Sequence, residues 1–399
     1  MFTLPVHPSA EIFRSEFQQW LASEGGAPSD ERETDLDTFI RTGRAWQRKL
    51  AAARWVAVHW PAAYGGRGLS LVEEAVAQEE LGRIGAPQIL GLFGLTMVGP
   101  VLIRYGTDAQ KQRYLSKILT AEEIWCQGFS EPGAGSDLTA IATKCHPVED
   151  PVRGPGFIVS GSKIWTSFAH VADWCFLLGR SSQESKPHQG LSYLLVDMRS
   201  PGITVRPLRQ ISGDDEFNEV FFDDVFVPRS QLVGQIGEGW KIALSTLMYE
   251  RVVLTFSRHI QSERVLRDLL RLSSEGVLLE DESRRLADCI TTFSAVRALA
   301  YKHLYSYANG ATPGPEGSMD KLFWSESFQE LSQLALAITS RITFNGANEH
   351  PWLRLEAAEH RYLYSRGRTI AAGTSEIQRT IIAERILGLP RLKASLSEI

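Results

Sequence analysis

The hydrophobic period changes twice along this chain, and that change constrains the fold more than any single residue does. From about Ala10 to Ala121 apolar residues recur at helical spacing. In LVEEAVAQEELGRIG, Leu71, Ala75, Val76 and Leu81 fall near one face, with the acidic residues expected off it. The pairs Gly65-Gly66 and Gly99-Pro100 are expected to separate helices, and HWPAAYGGRG at 59–68 reads as a loop with aromatic content. From about Ile124 to Pro228 the pattern becomes that of strands. GFIVSGSKIW alternates and is expected to turn at Gly161; LSYLLVDM, GITVRPL and NEVFFDDVFVP are short β-rich runs bounded by Gly, Pro, Asp and Asn. From Gly239 to Ile399 the helical period returns, broken by the Pro/Gly-rich connection ANGATPGPEGS at 308–318.

Helices, then strands, then helices argue against a sheet built by strand–helix alternation, and no GxGxxG follows a strand. The expected class is α+β. An N-terminal helical domain covers 1–122, a central antiparallel β-barrel-like domain 123–235, and a C-terminal helical bundle 236–399. The net charge of −5 gives no reason to expect nucleic acid or an anionic membrane as a partner, so an anionic ligand would need a local basic site. No stretch approaches the roughly 18 apolar residues of a membrane span. MFTLPVHPSAEIF lacks a basic leader followed by an apolar core, so the expected location is the cytoplasm. Cys126, Cys145, Cys175 and Cys289 are scattered without a CxxC pair, which predicts reduced, buried thiols and no metal site.

Two segments carry more chemistry than the rest. QGFSEPGAGSDL, from Gln127, packs two hydroxyls, two carboxylates, Pro and three Gly into twelve residues. Such a turn lets backbone N–H groups approach a phosphate or an acceptor-rich ring edge. On composition alone a β-turn with a Ser or Asx cap is the simpler reading. About thirty residues later SGSKIWTSFAHVADW places Trp165 at a strand end before Thr166 and Ser167. An indole flanked by hydroxyls suits the face and edge of a flat aromatic ring, and equally a core tryptophan.

Taken together, GFSEPGAGSD and KIWTSFAHVADW closely resemble the two β-domain signatures of the acyl-CoA dehydrogenase family. The resemblance continues through WPAAYGGRGLS, RYGTDAQKQRYLSKIL, GDDEFNEVFFDDVFVP, GQIGEGW, LMYERVVL and TIAAGTSEIQRTIIAERILGLP, and so covers most of the chain. It is nearest to the bacterial branch acting on CoA thioesters in lipid, sterol or secondary-metabolite pathways. It implies the acyl-CoA dehydrogenase fold, FAD as cofactor and an acyl-CoA substrate, with an acyl-ACP left open. It also implies an electron-transfer flavoprotein as acceptor and a homo-oligomer, dimer or tetramer, with a heteromer as the alternative.

The resemblance also implies roles for single residues. Phe129, Ser130, Ser136, Trp165, Thr166, Ser167, Thr374 and Glu376 match FAD-binding positions. Ser130 stands where a Thr usually bonds the pyrimidine edge, Trp165 where an indole packs beside the ring, and Ser167 where a hydroxyl reaches N5. Ser136 and Arg251 match substrate-binding positions. Two motifs are missing: the RxxFG stretch reads SRHIQSERVLRDLL, and the QxxGG segment is replaced by RITFNGANEH. Both contribute to a neighbour's FAD in the family, so no residue is assigned to that task.

The usual catalytic glutamate, two residues before the Thr of GTS, is Ala372 here. The family's alternative base position, on the helix after GxGW, holds Glu250. Leu247, Val253 and Leu254 share its helix face, and an apolar face raises a carboxylate's pKa and makes it a better base. Without the family, a surface glutamate on an amphipathic helix is the plainer reading. The implied reaction removes the pro-R α-proton with Glu250, holds the thioester oxygen with the backbone N–H of Ala372, and yields a trans-2-enoyl thioester. Two other readings stay open: a relative with divergent chemistry, such as an oxidase or desulfinase, and a non-catalytic or half-site subunit of a heteromer. Ala371 and Ala372 leave room for a branched or cyclic acyl group.

Overall fold

The structure is a computed structural model that describes residues 8–24, 36–87, 89–184, 186–311, 314–345 and 354–390. The side chains of residues 248–258 lie outside the described residues, although their backbone is helical. The chain forms two compact units, Pro5–Ser257 and Arg258–Ile399.

The first unit opens with helices α1 (Pro8–Ser23), α2 (Leu36–Ala52), α3 (Leu71–Arg83), α4 (Gly99–Tyr105) and α5 (Asp108–Leu119). Helix α3 starts at a capping box in which Ser70 and Glu73 satisfy each other's backbone N–H groups. Lying off the apolar stripe does not expose its acidic residues to water. Glu73, Glu74, Glu79 and Glu80 are all buried beside the apolar stripe. Burial is tolerable because each has a partner. Arg14 on α1 donates to Glu79 and Glu80, Ser9 donates to Glu73 at 2.9 Å, and His59 lies 3.0 Å from Glu74. The paired carboxylates therefore pin α1 onto α3.

Gly99-Pro100 does not end a helix either. A π turn at Gly94–Val98 runs straight into α4, and the Gly99 N–H bonds to Gly94 O. A π turn shifts the hydrogen-bond frame by one residue, which removes the need for a donor at Pro100. Gly99 is required by packing: a Cβ there would collide with the ring of Trp60, which is itself buried. The aromatic content of the 59–68 loop is thus its anchor.

The strands are β1 (Trp125–Gly128), β2 (Lys144–Asp150), β3 (Gly154–Ser167), β4 (Trp174–Arg180), β5 (Leu191–Asp197), β6 (Ile203–Leu208), β7 (Phe217–Pro228) and β8 (Leu232–Val233). They form one sheet in the order β6-β7-β3-β2-β4-β5-β8, with β1 against β4. Most pairings are antiparallel as expected, but β1–β4 and the short β2–β4 contact are parallel. Strand β3 does not turn at Gly161. It continues to Ser167, and the expected turn is instead a register shift against β7, with Gly161 at φ 145°. Strand β4, WCFLLGR, gave no alternating signal because it is buried on both faces. Cys126, Cys145 and Cys175 are buried free thiols in this core, and Cys289 is a half-buried one in the second unit.

Helix α6 (Gly239–Ser274) runs through the boundary between the units. The second unit continues with α7 (Glu280–Ala308), α8 (Gly317–Phe344), α9 (Leu355–Arg368) and α10 (Ser375–Ile381). Its core joins Leu266 and Leu269 of α6, Phe293 and Val296 of α7, and Trp324, Phe328 and Leu331 of α8. Among the described residues no helix is long and apolar enough to cross a membrane, and no group of His, Cys, Asp and Glu could hold a metal.

Gly99→Ala tests the packing account. A Gly-to-Ala change inside a helix ordinarily stabilises by roughly 1 kcal/mol. Here overpacking against Trp60 should dominate and destabilise by about 1–3 kcal/mol, read as a lower Tm in thermal unfolding. An unchanged or raised Tm would show that Trp60 yields freely.

Candidate active site

Strand β3 and the glycine-rich loop after β1 are tied together by one buried ion pair. Lys163, on β3, is 0% exposed. Its ammonium donates to Glu131 Oε1 at 2.7 Å and to the carbonyl of Phe129 at 2.9 Å. The Glu131 carboxylate also accepts from the backbone N–H groups of Ala142 at 2.7 Å and Thr143 at 2.9 Å. One residue further along each segment, Ile164 N donates to Ser130 O at 2.9 Å. Ser130 is thereby held against the strand that carries Trp165.

Burial pushes the Glu131 carboxyl up, but the Lys163 ammonium and the Thr143 and Ala142 donors outweigh it, and the pKa stays below the ordinary 4.5. Burial also draws the Lys163 ammonium down from its ordinary 10.5, with Glu131 opposing. The donors and acceptors around both groups complement their charged forms.

The loop has a closed and an open side. Glu131 and Ala134 bond to each other in both directions at 3.0 Å, forming a tight turn. Beyond it, a Cβ placed on Gly133 or Gly135 would meet nothing within 4 Å, and Ser136 is exposed. The backbone there is accessible to a ligand. Phe129 is not: its ring is buried in T-shaped contacts with Phe176 and Tyr193 at 5.8 and 6.0 Å. Any contribution of Phe129 to a ligand goes through its main chain.

At the end of β3 an extra residue between Lys163 and Thr166 shifts the register against β7. The bulge puts Trp165 at φ 59°, a left-handed conformation that costs a non-glycine residue about 1–3 kcal/mol. In exchange the indole is turned outward. It is 57% exposed, with only an edge contact to Phe217 at 6.1 Å. Thr166 points the other way. It is buried, its carbonyl accepts from Asn218 Nδ2 at 3.0 Å, and its hydroxyl has no hydrogen-bond partner. Ser167 is half-buried beyond it, and Phe168 is again left-handed, at φ 58°.

The remaining candidates lie elsewhere. Glu250 and Arg251 belong to α6, with side chains outside the described residues. Ala372, Thr374 and Glu376 belong to the second unit. Thr374 caps α10 by accepting from Ile377 N at 3.3 Å. Glu376 lies in the first turn, where its own backbone N–H and the Thr374 hydroxyl hold its carboxyl below the ordinary value. Ala372 is left-handed at φ 57°, and its N–H donates to no backbone carbonyl among the described residues.

Glu131, Lys163 and Asn218 position this site and were not singled out in the sequence. A lysine inside an alternating strand, and a glutamate inside a glycine-rich turn, were the available signals.

Comparison with known proteins places this geometry. Residues 7–122, 126–225 and 237–387 match the N-terminal, middle and C-terminal domains of acyl-CoA dehydrogenase. Acyl-CoA dehydrogenase IpdE1 of Mycolicibacterium smegmatis is 40% identical over 398 residues, covering 95% of this chain and 97% of that protein. Among solved structures, the Tcur3481-Tcur3483 steroid ACAD superposes with a TM-score of 0.83 at 27% identity, covering 98% of this chain and 100% of that one. The ChsE4-ChsE5 complex from Mycobacterium tuberculosis superposes with a TM-score of 0.80 at 27% identity, covering 98% and 100%. FAD is the cofactor of this family. The residues present fit it: an outward indole, hydroxyls on both tied segments and an open glycine backbone match a flat ring with an acceptor-rich edge.

Breaking the Lys163–Glu131 pair should release the flavin. Lys163→Met strands a buried carboxylate, at a cost of about 3–5 kcal/mol, and should give protein that retains little flavin absorbance after desalting. Acid should act through the same group. A carboxyl with a lowered folded pKa contributes its full stabilisation above 4.5 and loses it as pH falls through the folded value. Flavin release should therefore begin below about pH 4.5 in the unaltered protein and be less steep in the variant. Flavin retained by Lys163→Met would overturn this account.

Proposed function

Since the chain belongs to the acyl-CoA dehydrogenase family, a family of oxidoreductases, we propose that it desaturates an acyl-CoA thioester between Cα and Cβ, with Glu250 as the base. The supporting observation is the left-handed alanine at position 372. It leaves a peptide N–H available and puts no carboxylate where much of the family has one.

Two other carboxylates in the matched motifs, Glu131 and Glu376, are poorly suited to accept a proton. Glu131 is committed to Lys163 and two backbone donors. Glu376 is exposed and stabilised as its anion, so its affinity for a proton is reduced. Glu250 sits on α6 eleven residues after Gly239, in the family's alternative position for the base. It takes the pro-R α-proton, and the C–H electron pair becomes the enolate of the thioester. The Ala372 N–H donates to the thioester oxygen as charge develops, an interaction of a kind that contributes about 3–4 kcal/mol in oxyanion sites. FAD, held there, would supply the acceptor for the β-hydrogen as hydride, and the product would be the trans-2-enoyl thioester. Ser130, Trp165 and Ser167 hold the ring and its edge, while Ser136 and Arg251 contact the substrate side. Thr374 and Glu376 serve the rest of the cofactor.

Small residues at 371 and 372 support a branched or cyclic acyl group, and the likeness to a steroid ACAD agrees with a polycyclic one. An electron-transfer flavoprotein is the proposed acceptor. The described likeness to a ChsE4-ChsE5 complex, and the missing RxxFG and QxxGG motifs, favour assembly with a second, different chain that completes the FAD site.

Glu250→Gln should keep bound FAD and lose flavin bleaching by substrate under anaerobic conditions, with a rate reduction of at least about 10²-fold. Bleaching at a near-native rate would place the base elsewhere. Expression of the chain alone addresses assembly. A colourless or insoluble product that becomes yellow on co-expression with a homologous partner is expected; a yellow, active homo-oligomer would rule the heteromer out.

A further inference from the structure

The Ala372 peptide sits in a turn that the local chain would not adopt unaided. Ala372 at φ 57° is followed by Gly373 at φ 91°, and the first of these is strained for any residue with a Cβ. Two buried side chains hold the turn. Gln378, 0% exposed, uses one amide nitrogen to donate to Ala372 O at 2.9 Å and Gly373 O at 3.1 Å. Lys321, 3% exposed on α8, donates to Gly373 O at 2.7 Å and to Thr369 O at 3.3 Å. The carbonyls at both ends of the turn, Thr369 and Gly373, thus converge on one ammonium.

The Gln378 amide is held for its donors alone. Its Oε1 is buried and has no hydrogen-bond partner among the described residues. A leucine of similar volume would remove that unsatisfied atom, so stability by itself does not explain a glutamine here. What the amide does is fix the Ala372 carbonyl. With that carbonyl and the Gly373 carbonyl both anchored inward, the dihedrals of Ala372 are set, and with them the direction of its N–H.

We propose that Lys321 and Gln378 are positioning residues for the oxyanion donor: by gripping the carbonyls of Thr369, Ala372 and Gly373 they aim the Ala372 N–H at the thioester oxygen. The inference rests on the proposed function, which assigns that N–H its role. It adds that the donor's aim is set from inside the helical unit by two side chains that touch neither substrate nor flavin. Geometry decides the size of the effect, because a donor displaced by about 1 Å can lose about 10²-fold in rate.

The test uses the holoenzyme, together with any partner chain it needs, and acetoacetyl-CoA, an enolisable thioester with no β-hydrogen to surrender. Its C2 proton leaves to solvent or to the base, and its enolate, stacked on oxidised flavin, gives a long-wavelength absorption band. Titrating that band against pH reads the stability of the bound enolate with no turnover. Gln378→Leu and Lys321→Met should each shift the enolate's apparent pKa upward by about one unit or more, and lower kcat about 10- to 100-fold with KM little changed. Lys321→Arg, which keeps a cationic donor, should recover part of both. FAD content and Tm are measured alongside. Should Lys321→Met not fold, Gln378→Leu carries the test, since it removes no buried charge. An unchanged enolate pKa in folded, flavin-loaded variants would overturn the positioning role. No band in the unaltered enzyme would overturn the proposed reaction instead, so the two failures are distinct.

Discussion

The Lys163–Glu131 pair is the constraint from which the flavin-facing part of the molecule follows. A lysine with no solvent exposure cannot stay charged without a counter-charge and a full set of acceptors, and the glycine-rich loop supplies both through Glu131 and the Phe129 carbonyl. Replacing such a pair by apolar residues is often neutral for stability, so its presence is better explained by what it specifies. It specifies a loop conformation. Four of the bonds that shape residues 129–143 end on the two charged groups, and with Ala134 closing the turn on Glu131, Gly133 and Gly135 are left with open space beside their backbone.

The same division between anchored and presented atoms recurs at the other places where the chain is strained. Trp165 and Ala372 are both left-handed without being glycine. Behind each is a buried side-chain amide that fixes a nearby carbonyl: Asn218 on Thr166 O, and Gln378 on Ala372 O. A residue outside its preferred dihedrals persists only where its neighbours over-determine it. In both cases the over-determination comes from one side of the backbone, and the other side is turned outward or left without a backbone partner. Left-handed residues elsewhere, such as Ala57 and Ala121, are themselves buried and turn the chain between elements.

How much of this was legible in the sequence follows from the range of each interaction. Helix–strand–helix order was legible because periodicity is local, and strands β5, β6 and β7 fell where short β-rich runs predicted them. Gly161 was misread as a turn because a glycine in a strand signals either a turn or a bulge, and the choice depends on β7, some sixty residues away. The burial of the α3 glutamates was not legible, because helical period places them off the apolar face without naming the partners, and Arg14 and His59 come from other segments to meet them. The two flavin motifs were recognisable, but their mutual bond was not. A lysine and a glutamate 32 positions apart carry no mark of being partners.

Cofactor and reaction separate along the same line. The tied loop and strand belong to one compact unit and offer hydroxyls, an outward indole and open glycines that suit part of a flavin. Of the loop's two carboxylates, Glu131 is neutralised by Lys163 and Asp137 accepts from the backbone N–H and hydroxyl of Thr139, so neither is placed to serve as a base. Chemistry must therefore come from residues that this cradle does not hold, and an alanine at position 372 removes the nearest family alternative. A family that can place its base on either of two segments needs an oxyanion donor whose position does not depend on which is used. A backbone N–H, aimed by carbonyl anchors and indifferent to its own side chain, meets that requirement. On the proposed reaction, an alanine at 372 keeps that donor, and Glu250 on α6 takes the role of base.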